Sequence, residues 1–331
     1  MMALPYSITD RLDIPLMAAP MFLASNPALV IQCCMNGVIG SFPAKNQRSL
    51  DGLDSWLEEI SLALETDRPQ TGKPPAPYAV NLIVHKSNSV IEDELALLEK
   101  YKVPIVVTSL GAVSDVVDTV HGWGGLVYHD IISLRHAQKA AQAGVDGLIC
   151  VAAGAGGHTG AASPFGLVNE VKQFFEGTVI LSGALSTGRD IAAAQMMGAD
   201  LAYMGTRFIA TQECASPPAY KQMVMDSALG DIVTTDKVTG VTASFMAESL
   251  ASYTPDHAEH EMVDINKELA DALDQKNNEK KPWRDVWSAG HGVGSVDTMP
   301  LTADLIAQLK SDYLQALAEI SDAASPYIAN T

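Results

Sequence analysis

The chain has 331 residues, 47% of them hydrophobic and only 18% charged, enough to bury a large core as one big domain or one domain plus an insertion. Its 39 acidic against 21 basic residues leave a formal charge of −18 with no basic stripe, which excludes nucleic acid and anionic membrane surfaces as partners. A small anionic substrate stays open, because exposed charge is screened beyond ~8 Å at physiological salt and the local site decides.

Met1–Leu12 carries no basic region followed by an apolar core, and no run of about 18 uninterrupted apolar residues occurs, so a soluble cytoplasmic protein without a membrane span is expected. Strands are predicted at Pro15–Ala19 and Gly37–Ser41, separated by a helix at Pro27–Met35 whose start is signalled by Asn26 before Pro27. Helix Leu50–Leu64 then leads to strand Tyr78–Ile83, and helix Val90–Tyr101 leads to strand Pro104–Ser109. The alternation continues through helix Val113–His121, strand Gly125–His129, helix Ser133–Ala143 and strand Gly147–Val151. It ends with helix Gly166–Phe175, strand Val179–Ser182, helix Thr187–Met197 and strand Leu201–Met204. Gly144 and Gly198 read as helix C-cap glycines turning into strands. Strands that are nearly continuously apolar suit a parallel sheet buried on both faces. Alternating with helices, and eight in number, they predict an α/β fold, a (β/α)8 TIM barrel with its functional groups on the loops after the strands.

After residue 229 the texture changes. Pro255–Asp285 is dense in charge and reads as a solvated helical insertion capping the barrel mouth, before a glycine loop at Trp287–Gly294 and a final helix at Thr302–Ile320. The expected organisation is therefore barrel 1–229, helical insertion or cap 230–286, and a C-terminal return to the barrel over 287–331. His257, Glu259, His260 and Glu261 fall in that charged stretch and read as a solvated face, so no metal site is expected. The four cysteines, Cys33, Cys34, Cys150 and Cys214, have no CxxC spacing and read as buried free thiols in a reducing compartment.

The chemistry concentrates in Ala152-Ala153-Gly154-Ala155-Gly156-Gly157-His158-Thr159-Gly160, where one imidazole stands among glycines and alanines after an apolar strand. Such a loop lets backbone N–H groups approach an anion or a flat ring. Two further glycine signals end the last two strands, Ser182-Gly183-Ala184 and Met204-Gly205-Thr206-Arg207-Phe208. TIM barrels commonly bind phosphate at those two strand ends. A cofactor carrying one phosphate fits this pattern, and no GxGxxG dinucleotide fingerprint follows the first strand.

Together with Ala18-Ala19-Pro20-Met21, Ala79-Val80-Asn81-Leu82, Ser182–Gly188, Gly198–Thr211 and Trp287–Gly294, these loops resemble the nitronate monooxygenase family, formerly 2-nitropropane dioxygenases, over nearly the whole chain. The resemblance implies FMN as cofactor. It places Ala19, Pro20 and Met21 against the flavin ring and Asn81 at the ring edge. It assigns Gly156, Gly157, Gly183, Ala184, Met204, Gly205 and Thr206 to cofactor binding as well. His158 matches the family's catalytic histidine, a base toward nitroalkanes or an orienting group for the nitronate anion, and an unperturbed imidazole near pKa 6.5 suits proton transfer at neutral pH. His129, Ser288 and His291 are the expected substrate-pocket residues. The sequence also departs from the family: Asp130 follows His129 where many relatives carry lysine, Gly154 and Thr159 stand where relatives often have Glu and Arg, and His291 stands where glutamine is frequent. The implied activity is FMN-dependent oxidation of alkyl nitronates and nitroalkanes by O2 to a carbonyl compound and nitrite. The alternative is an NAD(P)H-dependent flavin reductase acting on quinones or enoyl-acyl carrier protein.

Overall fold

The computed structural model describes residues 4–67, 69, 72–84, 88–109, 114–238, 240–251, 253 and 282–328. After a short helix α1 (Tyr6–Thr9), β1 (Leu16–Ala18), β2 (Gly40–Pro43), β3 (Tyr78–Ile83), β4 (Ile105–Ser109), β5 (Leu126–Ile131) and β6 (Gly147–Val151) alternate with helices α2 (Pro27–Met35), α3 (Leu50–Thr66), α4 (Ile91–Lys100), α5 (Ser114–Gly122) and α6 (Leu134–Gln142). A two-residue strand β7 (Gly157–His158) and helix α7 (Pro164–Val171) precede β8 (Thr178–Ser182), α8 (Gly188–Met196) and β9 (Leu201–Met204).

The eight longer strands form one parallel sheet in the order β1-β9-β8-β6-β5-β4-β3-β2. A parallel bridge between Met17 and Ile39 joins its two ends, so the sheet closes into the expected barrel. Each predicted strand lies in it, although β2 starts three residues later than expected. The start signals also operate as read. The Asn26 side chain accepts from Leu29 N–H at 2.9 Å, and Thr187 with Asp190 forms a reciprocal capping box. The final helix, Thr302–Ile328, runs past the expected end at Ile320 and packs along α8, where a Cβ at Gly188 would collide with the Leu309 and Tyr313 backbone.

Period two divides the barrel residues between two cores. Met17, Ala79, Ile105, Val107, Tyr128, Ile149, Ile180, Leu201 and Tyr203 fill the interior. Leu16, Phe42, Val80, Val106, Leu148, Cys150, Leu181 and Ala202 face the surrounding helices. Leu4, Ile8 and Leu12, from α1 and its flanks, join the interior cluster and plug the end of the barrel where the strands begin. All four cysteines are buried and free.

Residues 230–246, expected within a helical insertion, instead contain a β-hairpin. Strands β10 (Ile232–Thr235) and β11 (Ala243–Met246) pair antiparallel, and β11 pairs in turn with β7. The reason lies in the β-branched run Ile232-Val233-Thr234-Thr235, which favours a pleated surface over a helix. A short helix α9 (Ala247–Ala251) follows. The charged stretch 255–281, with His257, Glu259, His260 and Glu261, lies outside the described residues. No helix among the described residues is long and apolar enough to cross a membrane.

Candidate active site

The interior alternation predicts what the open end of the barrel presents. Two residues beyond Ala79, Val107, Tyr128, Ile149, Ile180 and Leu201 come Asn81, Ser109, Asp130, Val151, Ser182 and Tyr203, one from each of six adjacent strands. All six line one cavity of about 290 Å³, together with Ala19, Pro20 and Met21 after β1 and the glycine loop after β6. With the opposite end plugged, the site is confined to the C-terminal ends of the strands.

The rim is built from backbone. Gly183 has φ +134 and a Cβ there would press on the Ala153 and Ala152 carbonyls at 3.0 and 3.2 Å, so this turn admits only glycine. Ala184 follows at φ 58, a left-handed conformation that costs an alanine stability and marks a shaped turn. The Gly154 carbonyl accepts from both Ala184 N–H at 3.2 Å and His291 N–H at 2.9 Å, tying the loops after β6 and β8 to the C-terminal glycine loop. A Cβ at Gly156 would fall 2.8 Å from the Gly290 nitrogen, and Gly290 N–H donates to Thr206 Oγ1 at 2.9 Å. The hydroxyl hydrogen of Thr206 is thereby left for a ligand oxygen. Ser186 Oγ and Ser288 Oγ line the same cavity, buried and without a hydrogen-bond partner among the described residues.

His158 enters from β7, whose register sets Ala243 of the hairpin opposite it, while Thr159 N–H donates to the Thr242 carbonyl at 3.2 Å. The hairpin of the insertion is therefore part of the site, because it pins the segment that carries the imidazole. Desolvation pushes His158 down to about 4, below the unperturbed value assumed from sequence, so the imidazole is neutral at pH 7.

In the same cavity, Asn81 Nδ2 donates to Ser109 Oγ at 2.8 Å and Ser109 Oγ donates to Asp130 Oδ2 at 2.6 Å. Burial drives the Asp130 carboxyl up to about 6 in spite of the Ser109 hydrogen bond. Desolvation also raises the Tyr203 phenol, whose hydroxyl is buried without a partner among the described residues. Tyr220 closes the wall by stacking on Trp287 at 5.1 Å and donating its hydroxyl to the Ser288 carbonyl at 2.6 Å.

Of the residues expected from sequence, Ala19, Pro20, Met21, Asn81, Gly156, Gly157, His158, Gly183, Ala184, Gly205, Thr206 and Ser288 all line this cavity. Three do not. Met204 is buried in the outer core, since its place in the strand alternation turns it away from the interior. His291 packs against Gly154 and does not line the cavity. His129, one position off the inward register, hydrogen-bonds Thr108 Oγ1 through Nδ1 at 2.8 Å and borders only a second, larger cavity of about 950 Å³. Ser109, Tyr203, Tyr220 and Trp287 were not expected; the first two could have been found by extending the strand alternation one step past the core.

A closed (β/α)8 barrel whose cavity gathers polar side chains and glycine turns at the C-terminal strand ends defines a TIM-barrel enzyme. The nitronate monooxygenase family model matches residues 8–312, and the chain belongs to that family. A nitronate monooxygenase of Paraburkholderia phytofirmans is 24% identical over 95% of this chain and 96% of its own. A 5-hydroxy-7a-methyl-1-oxo-octahydro-1H-indene-4-carboxyl-CoA dehydrogenase of Mycobacterium tuberculosis is 29% identical over 56% of this chain, which spans about half (52%) of that relative's length. Among solved structures, FabK of Thermotoga maritima superposes with a TM-score of 0.79 at 23% identity, covering 96% of this chain and 99% of its own. Nitroalkane oxidase of Streptomyces ansochromogenes superposes at 0.76 and 20% identity, over 95% of this chain and 99% of its own.

Proposed function

We propose that the protein, acting in the cytoplasm, uses FMN to oxidise alkyl nitronates and nitroalkanes with O2, yielding a carbonyl compound and nitrite. The observation that carries this reading is His158, a neutral imidazole held over a glycine-lined cavity. The cavity fits an FMN phosphate: Gly183 and Gly156 leave room only for backbone, and the orphaned Ser186 and Ser288 hydroxyls are donors that an anion would satisfy. In this reading Gly156, Gly157, Gly183, Ala184, Gly205 and Thr206 hold the phosphate end, while Ala19, Pro20, Met21 and Asn81 face the ring. When bound, the flavin accepts the electrons of the substrate and passes them to O2.

The chain's own work is positional and protonic. His158, neutral before substrate arrives, accepts the proton from the α-carbon of a nitroalkane, and the imidazolium then faces the nitronate anion that forms. A nitronate supplied preformed needs only the orienting role. Met21, Phe22 and Trp287, which line the cavity, limit water at the reacting centre.

One observation favours the alternative, an NAD(P)H-dependent flavin reductase for quinones or enoyl thioesters. The cavity of about 950 Å³ beside the site, bordered by Ile83, Ile132, Ala140 and Val241, would admit an extended substrate. Anaerobic mixing separates the readings: bleaching of the yellow protein by a nitronate and not by NADH is the expected result, and bleaching by NADH alone overturns the nitronate reading.

A further inference from the structure

Asp130 stands out because the local chemistry leaves it incomplete. Oδ2 is held by Ser109, itself held by Asn81, yet Oδ1 is buried without a partner among the described residues. Its side chain borders both the glycine-lined cavity and the larger one, so whatever fills the site lies against it. A buried carboxylate oxygen without a donor is unfavourable unless a proton or a ligand donor arrives.

We propose that Asp130 is a redox-linked proton acceptor, taking a proton at Oδ1 when the bound cofactor gains negative charge and returning it when that charge is lost to O2. This rests on the flavin reading above. Two electrons and one proton enter the cofactor on reduction, and a second proton passes from solvent to the carboxylate. The direction follows from electrostatics, since a new negative charge sharing a low-dielectric cavity disfavours an ionised carboxylate. Burial has already brought the carboxyl up to about 6, so a modest further rise carries it across neutral pH.

Among the described residues, several other titratable groups surround it. His158 in the same cavity and His129 on the same strand are both held neutral by desolvation, each lowered to about 4. The Tyr203 and Tyr128 phenols are raised. Lys45 is paired with Glu94 at 2.8 Å, and His136 and Lys139 border only the larger cavity.

The test is a spectroelectrochemical titration of the FMN-loaded protein between about pH 5.5 and 8.5. Two protons per two electrons change the redox equilibrium a hundredfold per pH unit, ~59 mV, against tenfold, ~30 mV, for one. Wild type is expected to show the steeper slope over a window opening near pH 6. Asp130→Asn is expected to show the shallow slope throughout, with a higher potential than wild type on the alkaline side. Ser109→Ala keeps the carboxylate but removes a hydrogen bond that favours its ionised form, so the steep window should move to higher pH. His158→Asn should leave the window in place. A one-proton slope throughout in wild type, or a steep window surviving in Asp130→Asn, overturns the proposal. Yellow protein that oxidises no nitronate would sink the proposed function while this titration still decides the role of Asp130.

Discussion

At the scale of single residues, the site contrasts a histidine pushed down with an aspartate pushed up. His158→Asn should keep FMN, because none of the contacts assigned to the phosphate comes from the imidazole. It should lose roughly 10²–10⁴-fold in kcat/KM for a neutral nitroalkane, the usual worth of general base catalysis, and much less for the preformed nitronate. Equal losses on the two substrates would reject the base role. The lowered His158 value adds a pH signature: the base form is present down to about pH 4, so the free-enzyme inflection assigned to it should fall near 4 rather than 6.5. The sign is opposite for Asp130. A carboxyl raised from 3.8 to about 6 binds its proton more tightly folded than unfolded, so stability falls as pH rises across that interval and the loss persists above it. Asp130→Asn should therefore be the more stable protein at pH 7.5 and not at pH 4, by up to about 3 kcal/mol at roughly 1.4 kcal/mol per unit. Denaturant midpoints at the two pH values check this, and a destabilised variant at pH 7.5 would contradict it.

At the scale of elements, the β10–β11 hairpin matters more than its place in an insertion suggests. Phe245 on β11 is fully buried with Val238, Ala243 and Val286 in a small cluster separate from both barrel cores. Phe245→Ala should cost about 3–5 kcal/mol locally, as other large-to-small core changes do. Because the cluster lies outside the barrel, the loss should loosen the hairpin and with it β7, where Ala243 is registered opposite His158. Hydrogen exchange should rise at β10, β11 and β7 and not at β1–β6, with nitroalkane turnover falling in parallel; a uniform rise would show that the hairpin unfolds only with the barrel. This element was hidden in the sequence. Ile232–Thr235 is four residues long and only half-buried, too short for periodicity to separate from a helix edge, and β7, which the hairpin pairs with through β11, has two residues, Gly157 and His158.

At the scale of the molecule, the barrel was legible because strand apolarity, helix caps and C-cap glycines agreed, as at Thr187, Asp190 and Gly198. The glycine cradle was legible for the related reason that Gly183 and Gly156 are read directly as letters. The inward layer was less so: Ser109 and Tyr203 look like ordinary strand residues, and only the closure of the barrel turns them toward a ligand, while the same register turns His129 and Met204 away. The whole-molecule consequence is that folding and cofactor binding are linked. A ligand that binds only the folded barrel stabilises it by ~2.7 kcal/mol at a free concentration 100 times Kd. FMN should accordingly raise the unfolding midpoint of flavin-stripped protein and restore its yellow colour. Gly183→Asp should abolish both effects, because its side chain would strain a turn at φ +134 and bring a carboxylate toward a dianionic phosphate. Gly166→Ala, in α7 with no heavy atom within 4 Å of the new Cβ, should leave both intact. Comparing the midpoint with and without FMN in the three proteins decides it: a Gly183→Asp variant that still binds and is still stabilised by FMN would remove the phosphate from the turn after β8.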